Sequence, residues 1–393
     1  MKKLLIALAA STMLATTAMA EDVKIGVILG FTGPIESLTP DMAAGAELAM
    51  KEVTDSGALL DGSKVTSVRG DSTCTDSAAA SAAAERLITS DKVNAIMGAD
   101  CSGVTTAILQ NVAMANGVVM ISPSATSPAL SSLEDKGLFF RTAPSDARQG
   151  QVLRDILKEK GVKSAALTYT NNDYGKGLAD SIKTNFEASG GKITISAAHE
   201  DGKGDYSAEV AALAQAGGDV LIVAGYLDQG GKGIIQGALD SGAFETFVLP
   251  DGMIGDALPI AIGEGLNGSY GTVPGTDSPG AAKFGEMSTA GGFKAGPFAG
   301  ESYDAAALIM LAMQAAGSSD SGKFKDKVEM VANAPGEKIY PGELAKALKI
   351  LKDGGDIDYV GASAVELIGA GESAGNYREI LVDGGKITTA KYR

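Results

Sequence analysis

From Val23 onward, short runs of apolar and β-branched residues alternate with longer stretches in which apolar positions recur every three or four residues. The run VKIGVIL is followed by a helical pattern near 41–56, where Met42, Ala46, Ala49, Met50 and Val53 share one face. Asp41 stands where it would cap that helix. The rhythm continues with VTSVRG and a helix near 76–90, VNAIMG and a helix near 103–115, and VVMIS at 118–122. Strands and helices in this order predict parallel βαβ units, hence a doubly wound α/β sheet.

The pattern restarts after Arg141. A helix near 146–160 leads into the strand SAALTY, a helix near 175–189, KITISAA, a helix near 206–216, DVLIVAGY and a helix near 229–242. This predicts a second sheet of the same kind. Beyond VPGTDSPGAA, four helices are expected near 279–290, 299–317, 322–333 and 341–352, and the tail returns to strands in ASAVELI and YREILVDGGKITTAKY. No repeat of 20 to 50 residues runs through the chain, which excludes a solenoid.

The N-terminus carries a different signal. MKKLLIALAASTMLATTAMA joins two lysines to an apolar run too short to span a bilayer and ends in Ala-Met-Ala, so export with cleavage after Ala20 is expected. Glu21 follows instead of a cysteine, so the usual lipid-anchor site is missing and a free periplasmic protein is predicted. The remaining 373 residues (393 less the leader's 20) are enough for two domains. Loss of Lys2 and Lys3 takes the formal net charge from −15 to −17, which argues against nucleic acid or an anionic membrane as partner. Cys74 and Cys101 are the two cysteines, and in an oxidising compartment a disulfide between them is expected.

Enzyme motifs fail on spacing. Gly26, Gly30 and Gly33 are four and three apart, which does not make the tight GxGxxG turn of a dinucleotide site, and no phosphate-binding GxxxxGK[ST] occurs. The single histidine, His199, lies in an alternating strand and reads as a surface residue, which leaves nucleophilic triads without a base. No metal or cofactor is expected.

Ligands of open α/β sheets bind beyond the carboxyl ends of the strands. Ser102 lies there, at the start of a helix, where a hydroxyl and the helix's positive end suit a carboxylate. Thr126 lies in the hydroxyl-rich loop SPSATSP after the next strand, although plain capping would also account for either residue. In the second half, Tyr174, Tyr226 and Asp251 each follow a strand. Asp251 could accept from an ammonium group or be a turn residue; the tyrosines could close over a ligand or pack at the sheet edge.

These residues sit in segments that carry a resemblance. GPI near Gly33, DMAAGAELAMKEV, the Cys74 and Cys101 pair followed by Ser102, VVMISPSATSPAL, FRTAPSDARQG, DYGKGLA and GYLDQGGKGI run in the order of the leucine/isoleucine/valine-binding protein family of periplasmic receptors. The resemblance implies a periplasmic binding protein of type I, with two Rossmann-like lobes, 21–141 plus 272–372 and 142–271 plus 373–393, joined by three crossovers near Arg141, Gly271 and Glu372. It implies that Ser102 and Thr126 hold an α-carboxylate, that Ser124 and the Ala125 backbone complete the cradle, and that Tyr174, Tyr226 and Asp251 answer from the other lobe. It implies a monomer that delivers a small amino acid to the membrane permease subunits of an ABC importer. Asp251 stands where the family often has Glu, and Leu38 where an aromatic is common, so the cargo could instead be an amide, urea, a nucleobase or an aromatic or organic acid. A periplasmic hydrolase is the rival of a different class.

Overall fold

The computed structural model describes residues 21–393; the expected leader, 1–20, lies outside the described residues. Five strands, β1 (Val23–Leu29), β2 (Val65–Asp71), β3 (Ala95–Gly98), β4 (Met120–Ser122) and β5 (Phe139–Pro144), form a parallel array in the order β2-β1-β3-β4-β5. Short strands β13 (Leu367–Ile368) and β14 (Glu372–Ser373) complete that sheet beside β5, while β11 (Glu337–Ile339) and β12 (Ile357–Tyr359) pair with each other apart from it. The second sheet repeats the plan with β6 (Ser164–Thr170), β7 (Lys192–His199), β8 (Val220–Ala224), β9 (Phe247–Leu249) and β10 (Tyr270–Pro274), in the order β7-β6-β8-β9-β10. Its far edge is the antiparallel hairpin β15 (Tyr377–Asp383) and β16 (Lys386–Tyr392). The strand order reverses at β1/β3 in one sheet and at β6/β8 in the other, the two places where a doubly wound sheet opens a crevice.

The chain passes between the sheets three times: after β5, after β10, and from β14 to β15. Arg141, buried on β5, fastens this region. Its guanidinium donates to the carbonyls of Ala125 (3.0 Å) and Ser127 (2.9 Å), to the Ser131 hydroxyl (2.7 Å) and to the Glu372 carboxylate.

Helices cover the sheets as amphipathic periodicity requires. In the first half these are α1 (Thr39–Ser56), α2 (Ser77–Glu85) and α3 (Ser102–Ile108). The second sheet is covered by α4 (Asp146–Glu159), α5 (Asp173–Ala188), α6 (Ser207–Ala216) and α7 (Gly230–Asp240). After β10 come α8 (Pro279–Ala290), α9 (Ala299–Ala316) and α10 (Leu344–Lys352). The apolar α9 is buried over nearly its whole length, packed against α1 and α10. Gly45 on α1 permits this approach, because a Cβ there would lie 2.2 Å from the Ala299 carbonyl. Among the described residues no helix is long and apolar enough to cross a membrane.

Four local expectations need correction. The first helix begins at Thr39 with Leu38 at its cap and Pro40 in its first turn, so Asp41 lies inside that turn and does not cap it. The helix expected near 322–333 is broken into short turns at 321–324, 325–327 and 328–332. ASAVELI does not form a strand through Ala362–Glu366, because buried Asp304 on α9 draws the Ala362 amide (2.8 Å), the Ser363 amide (2.7 Å) and the Ser363 hydroxyl (2.6 Å) into a turn. His199 is buried, not on the surface: although β7 is an edge strand, the Gly230 turn that opens α7 and the ring of Tyr206 cover its end.

The expected disulfide is present: Cys74 and Cys101 are joined, with Cα atoms 5.1 Å apart. It ties the loop after β2 to the residue immediately before α3. Closing a loop of 27 residues contributes about 3 to 4 kcal/mol on the chain-entropy model. The double variant Cys74→Ala/Cys101→Ala should lose stability of that order in urea unfolding. His199 yields a pH prediction. Its Nδ1 lies 2.8 Å from the Thr168 hydroxyl, and burial pushes the imidazole down to about 4 from 6.5. Its contribution to stability is complete above about pH 6.5 and is lost as the pH falls toward 4. Unfolding free energy should drop more steeply across that window in the wild type than in His199→Gln, and the lone imidazole should titrate near 4 by NMR.

Candidate functional site

The crevices at the two switch points face each other, and one small pocket lies between them. Ile35 and Leu38, after β1, and Asp100, Cys101 and Ser102, after β3, line it together with Ser124, after β4. Tyr174, Tyr226, Asp251 and Gly252 line it from the loops after β6, β8 and β9, and Phe298 arrives from the turn before α9. The free volume is about 20 Å³, room for little more than a water molecule, so the two walls are nearly in contact.

Hydrogen bonds hold the walls together. The Ser37 amide donates to the Asp228 carboxylate (2.9 Å), the Asp228 amide donates to the Pro34 carbonyl (3.0 Å), and the Ser127 hydroxyl donates to the Asp173 carbonyl (3.1 Å). Lys294 pairs with Asp256.

On the first wall, Ser102 is the first residue of α3, and Cys101 before it supplies no side-chain cap, so the helix presents free amides here. The Ser102 hydroxyl accepts from the Ser127 amide (3.1 Å) and keeps its own proton to donate. Ser124 donates to the Asp100 carbonyl (3.0 Å). Asp100 fastens this wall: its carboxylate accepts from the Gly30 amide (2.6 Å), the Ser72 hydroxyl (3.0 Å) and the Cys101 amide (3.0 Å).

On the second wall, the Tyr174 hydroxyl donates to Asp251 (2.7 Å) and accepts from the Gly252 amide (3.1 Å). The Tyr174 and Tyr226 rings stack with centroids 5.1 Å apart. Burial, and after it the charge of Asp251, push the Tyr174 hydroxyl well above its ordinary pKa; burial does the same for Tyr226.

Of the seven residues expected to contact a ligand, Ser102, Ser124, Tyr174, Tyr226 and Asp251 line this pocket; Ala125 and Thr126 lie behind it. The Ala125 carbonyl is taken by Arg141, and its amide donates to the Ser122 hydroxyl (2.9 Å). Thr126 is fully buried and its hydroxyl has no hydrogen-bond partner.

The same is true of several residues that the sequence reading missed. Both carboxylate oxygens of Asp146 and both side-chain polar atoms of Gln149, in the first turns of α4, are buried without partners. Burial, followed by the neighbouring charge of Asp251, pushes Asp146 well above the ordinary carboxylate range, and burial raises Asp251 too. Neither carboxylate is bonded to a cation: Asp251 is held by the Tyr174 hydroxyl, and the nearby guanidinium of Arg141 is paired with Glu372. Asp146 and Asp100 could have been found by the rule already used for Ser102, since each directly follows a strand. Phe298 and Gln149 carried no such signal.

The chain matches the model of a family described as periplasmic binding protein over residues 22–337. It is 32% identical over 324 residues to the Leu/Ile/Val-binding protein homolog 1 of Brucella melitensis, covering 80% of this chain and 84% of that one. It is 27% identical to a leucine-, isoleucine-, valine-, threonine- and alanine-binding protein of Pseudomonas aeruginosa, covering 83% and 87%. Among solved structures, a leucine-binding protein of Thermotoga maritima superposes with a TM-score of 0.80 at 24% identity, covering 94% of this chain and 98% of that one. A solute-binding protein of R. palustris in complex with benzoate superposes at 0.76 and 20% identity, covering 94% and 96%. Two facing sheets of one plan, a closed pocket between their switch points and a family match over four-fifths of its length lead to one assignment: this chain belongs to the periplasmic binding protein family.

Proposed function

We propose that the protein captures a free amino acid in the periplasm, after removal of residues 1–20, and delivers it to the permease subunits of an ABC importer without altering it. One observation carries the reading. The Asp146 and Asp251 carboxylates are buried as neighbours with no cation bonded to either, and the Thr126 hydroxyl and Gln149 amide beside them make no well-formed hydrogen bond. An uncompensated buried carboxylate costs several kcal/mol, so the cluster wants a cation, and an ammonium group brings one with three donors. The carboxylate of the same ligand would dock on the Ser102 hydroxyl and the free amides of α3, as an anion does at a helix N-terminus. The relatives named above for branched-chain amino acids favour an α-amino acid, and Asp251 with Asp146 favours it over benzoate-like cargo, which has no ammonium.

Mechanistically, the lobe formed by 21–141 plus 272–372 would receive the carboxylate, and the lobe formed by 142–271 plus 373–393 would swing in with Tyr174, Tyr226 and Asp251. The contacts of Asp228 with Pro34 and Ser37 would then form without touching the ligand. Ligand and permease are thereby coupled through one opening equilibrium, since each prefers the closed form.

Charge-assisted hydrogen bonds of about 1.5 to 3 kcal/mol make Thr126→Val and Asp251→Asn each expected to weaken amino-acid binding about ten- to a hundredfold in calorimetry. Unchanged affinity in both variants would remove the site. The raised pKa of Asp251 sets the sign of the pH effect: an ammonium needs the ionised carboxylate, so affinity falls on acidification, beginning above the ordinary carboxylate range. Asp251→Asn should flatten that profile.

A further inference from the structure

Resting on the reading of the pocket as an amino-acid site, we propose that it selects a short side chain bearing a hydrogen-bond donor, of the serine and threonine kind, over aliphatic side chains. Two observations on the pocket's remaining wall carry this. The first is Asp100. A carboxylate offers about four lone-pair positions; Gly30, Ser72 and Cys101 take three, and the residue forms part of the pocket surface with one position to spare. The second is Tyr226, whose hydroxyl receives only a long bond from the Asn172 amide (3.4 Å) and donates to no protein acceptor among the described residues. A ligand hydroxyl reaching this end donates to Asp100 and accepts from Tyr226. A methyl group in the same place leaves the fourth acceptor position of Asp100 and the Tyr226 hydroxyl proton unused. Such a site rejects the analogue that lacks the polar atom far more strongly than an apolar pocket rejects one that carries it.

Size points the same way. Leu38 and Phe298 close the apolar side of the pocket, and Leu38 is wedged against the second wall: a Cβ on Gly255 would meet its Cδ2 at 2.8 Å. With only about 20 Å³ free, a leucine side chain needs the walls to part further than serine or threonine does.

Isothermal titration of the unfolded and refolded, ligand-free protein with the near-isosteric pairs threonine/valine and serine/alanine, and with leucine, tests the proposal. Threonine is expected to bind at least tenfold more tightly than valine, serine more tightly than alanine, and leucine more weakly than threonine. Asp100→Asn and Tyr226→Phe should each narrow the threonine/valine ratio severalfold. Valine binding as tightly as threonine overturns the proposal, and because that comparison uses the wild type it decides the matter even if the Asp100 variant fails to fold. Binding of none of the five amino acids would instead overturn the amino-acid reading itself.

Discussion

The site depends on where one guanidinium spends its hydrogen bonds. Arg141 is buried on the last parallel strand of the first sheet, and its donors go to the Ala125 and Ser127 carbonyls, to Ser131 and to Glu372. Those bonds fix the 124–127 loop from behind, so that Thr126 is held rigidly although its own hydroxyl makes no bond. They also fix Glu372 in the strand that leads into the third passage between the sheets. Because its hydrogen bonds are spent in this way, the guanidinium bonds neither Asp146 nor Asp251 and acts on Asp146 only through space. Removing Arg141 would therefore damage the fold, whereas supplying a further cation stabilises the site.

That imbalance gives the pocket its character. Polar groups inside proteins are normally satisfied, and a cluster of orphans that includes a carboxylate is costly to maintain. The rest of the molecule offsets the cost through an extensive buried apolar core, a disulfide beside Ser102, and the burial of α9. The groups without a well-formed hydrogen bond are concentrated near Asp251, while Ser124 is bonded and Asp100 already accepts three bonds. The pocket therefore combines a first wall stiffened by internal bonds with a second wall whose Asp251 is backed by buried polar groups.

Much of this was legible in the sequence, for a physical reason. The alternation of strand runs with amphipathic helices records one sheet after another, and the rule that ligands lie beyond carboxyl ends of strands singled out Ser102, Tyr174, Tyr226 and Asp251. What escaped depends on contacts between distant segments. His199 looks exposed in an alternating strand until Tyr206 and the Gly230 turn close over it. ASAVELI has the composition of a strand, yet Asp304, 58 and 59 residues earlier, captures Ala362 and Ser363 in a turn. Gln149 and Phe298 enter the site or its floor only because of how α4 and the turn before α9 pack, and no local pattern encodes that.

The contacts that close the cleft fall into two sets with different consequences. Asp228 with Pro34 and Ser37, and Ser127 with Asp173, join the walls with no ligand between them. They add to the closed state whether or not the site is filled, so they set how much of the empty protein is closed. A ligand shifts that balance only by what it gains in the closed form beyond the open one. On the proposed amino-acid reading that gain would arise at Asp251, Tyr174 and Tyr226, on the wall opposite Ser102, and not at Ser102, which would hold a carboxylate equally well in either form. On that proposal carboxylate docking alone would give affinity without closure, and the group answering Asp251 would make a ligand an effective signal.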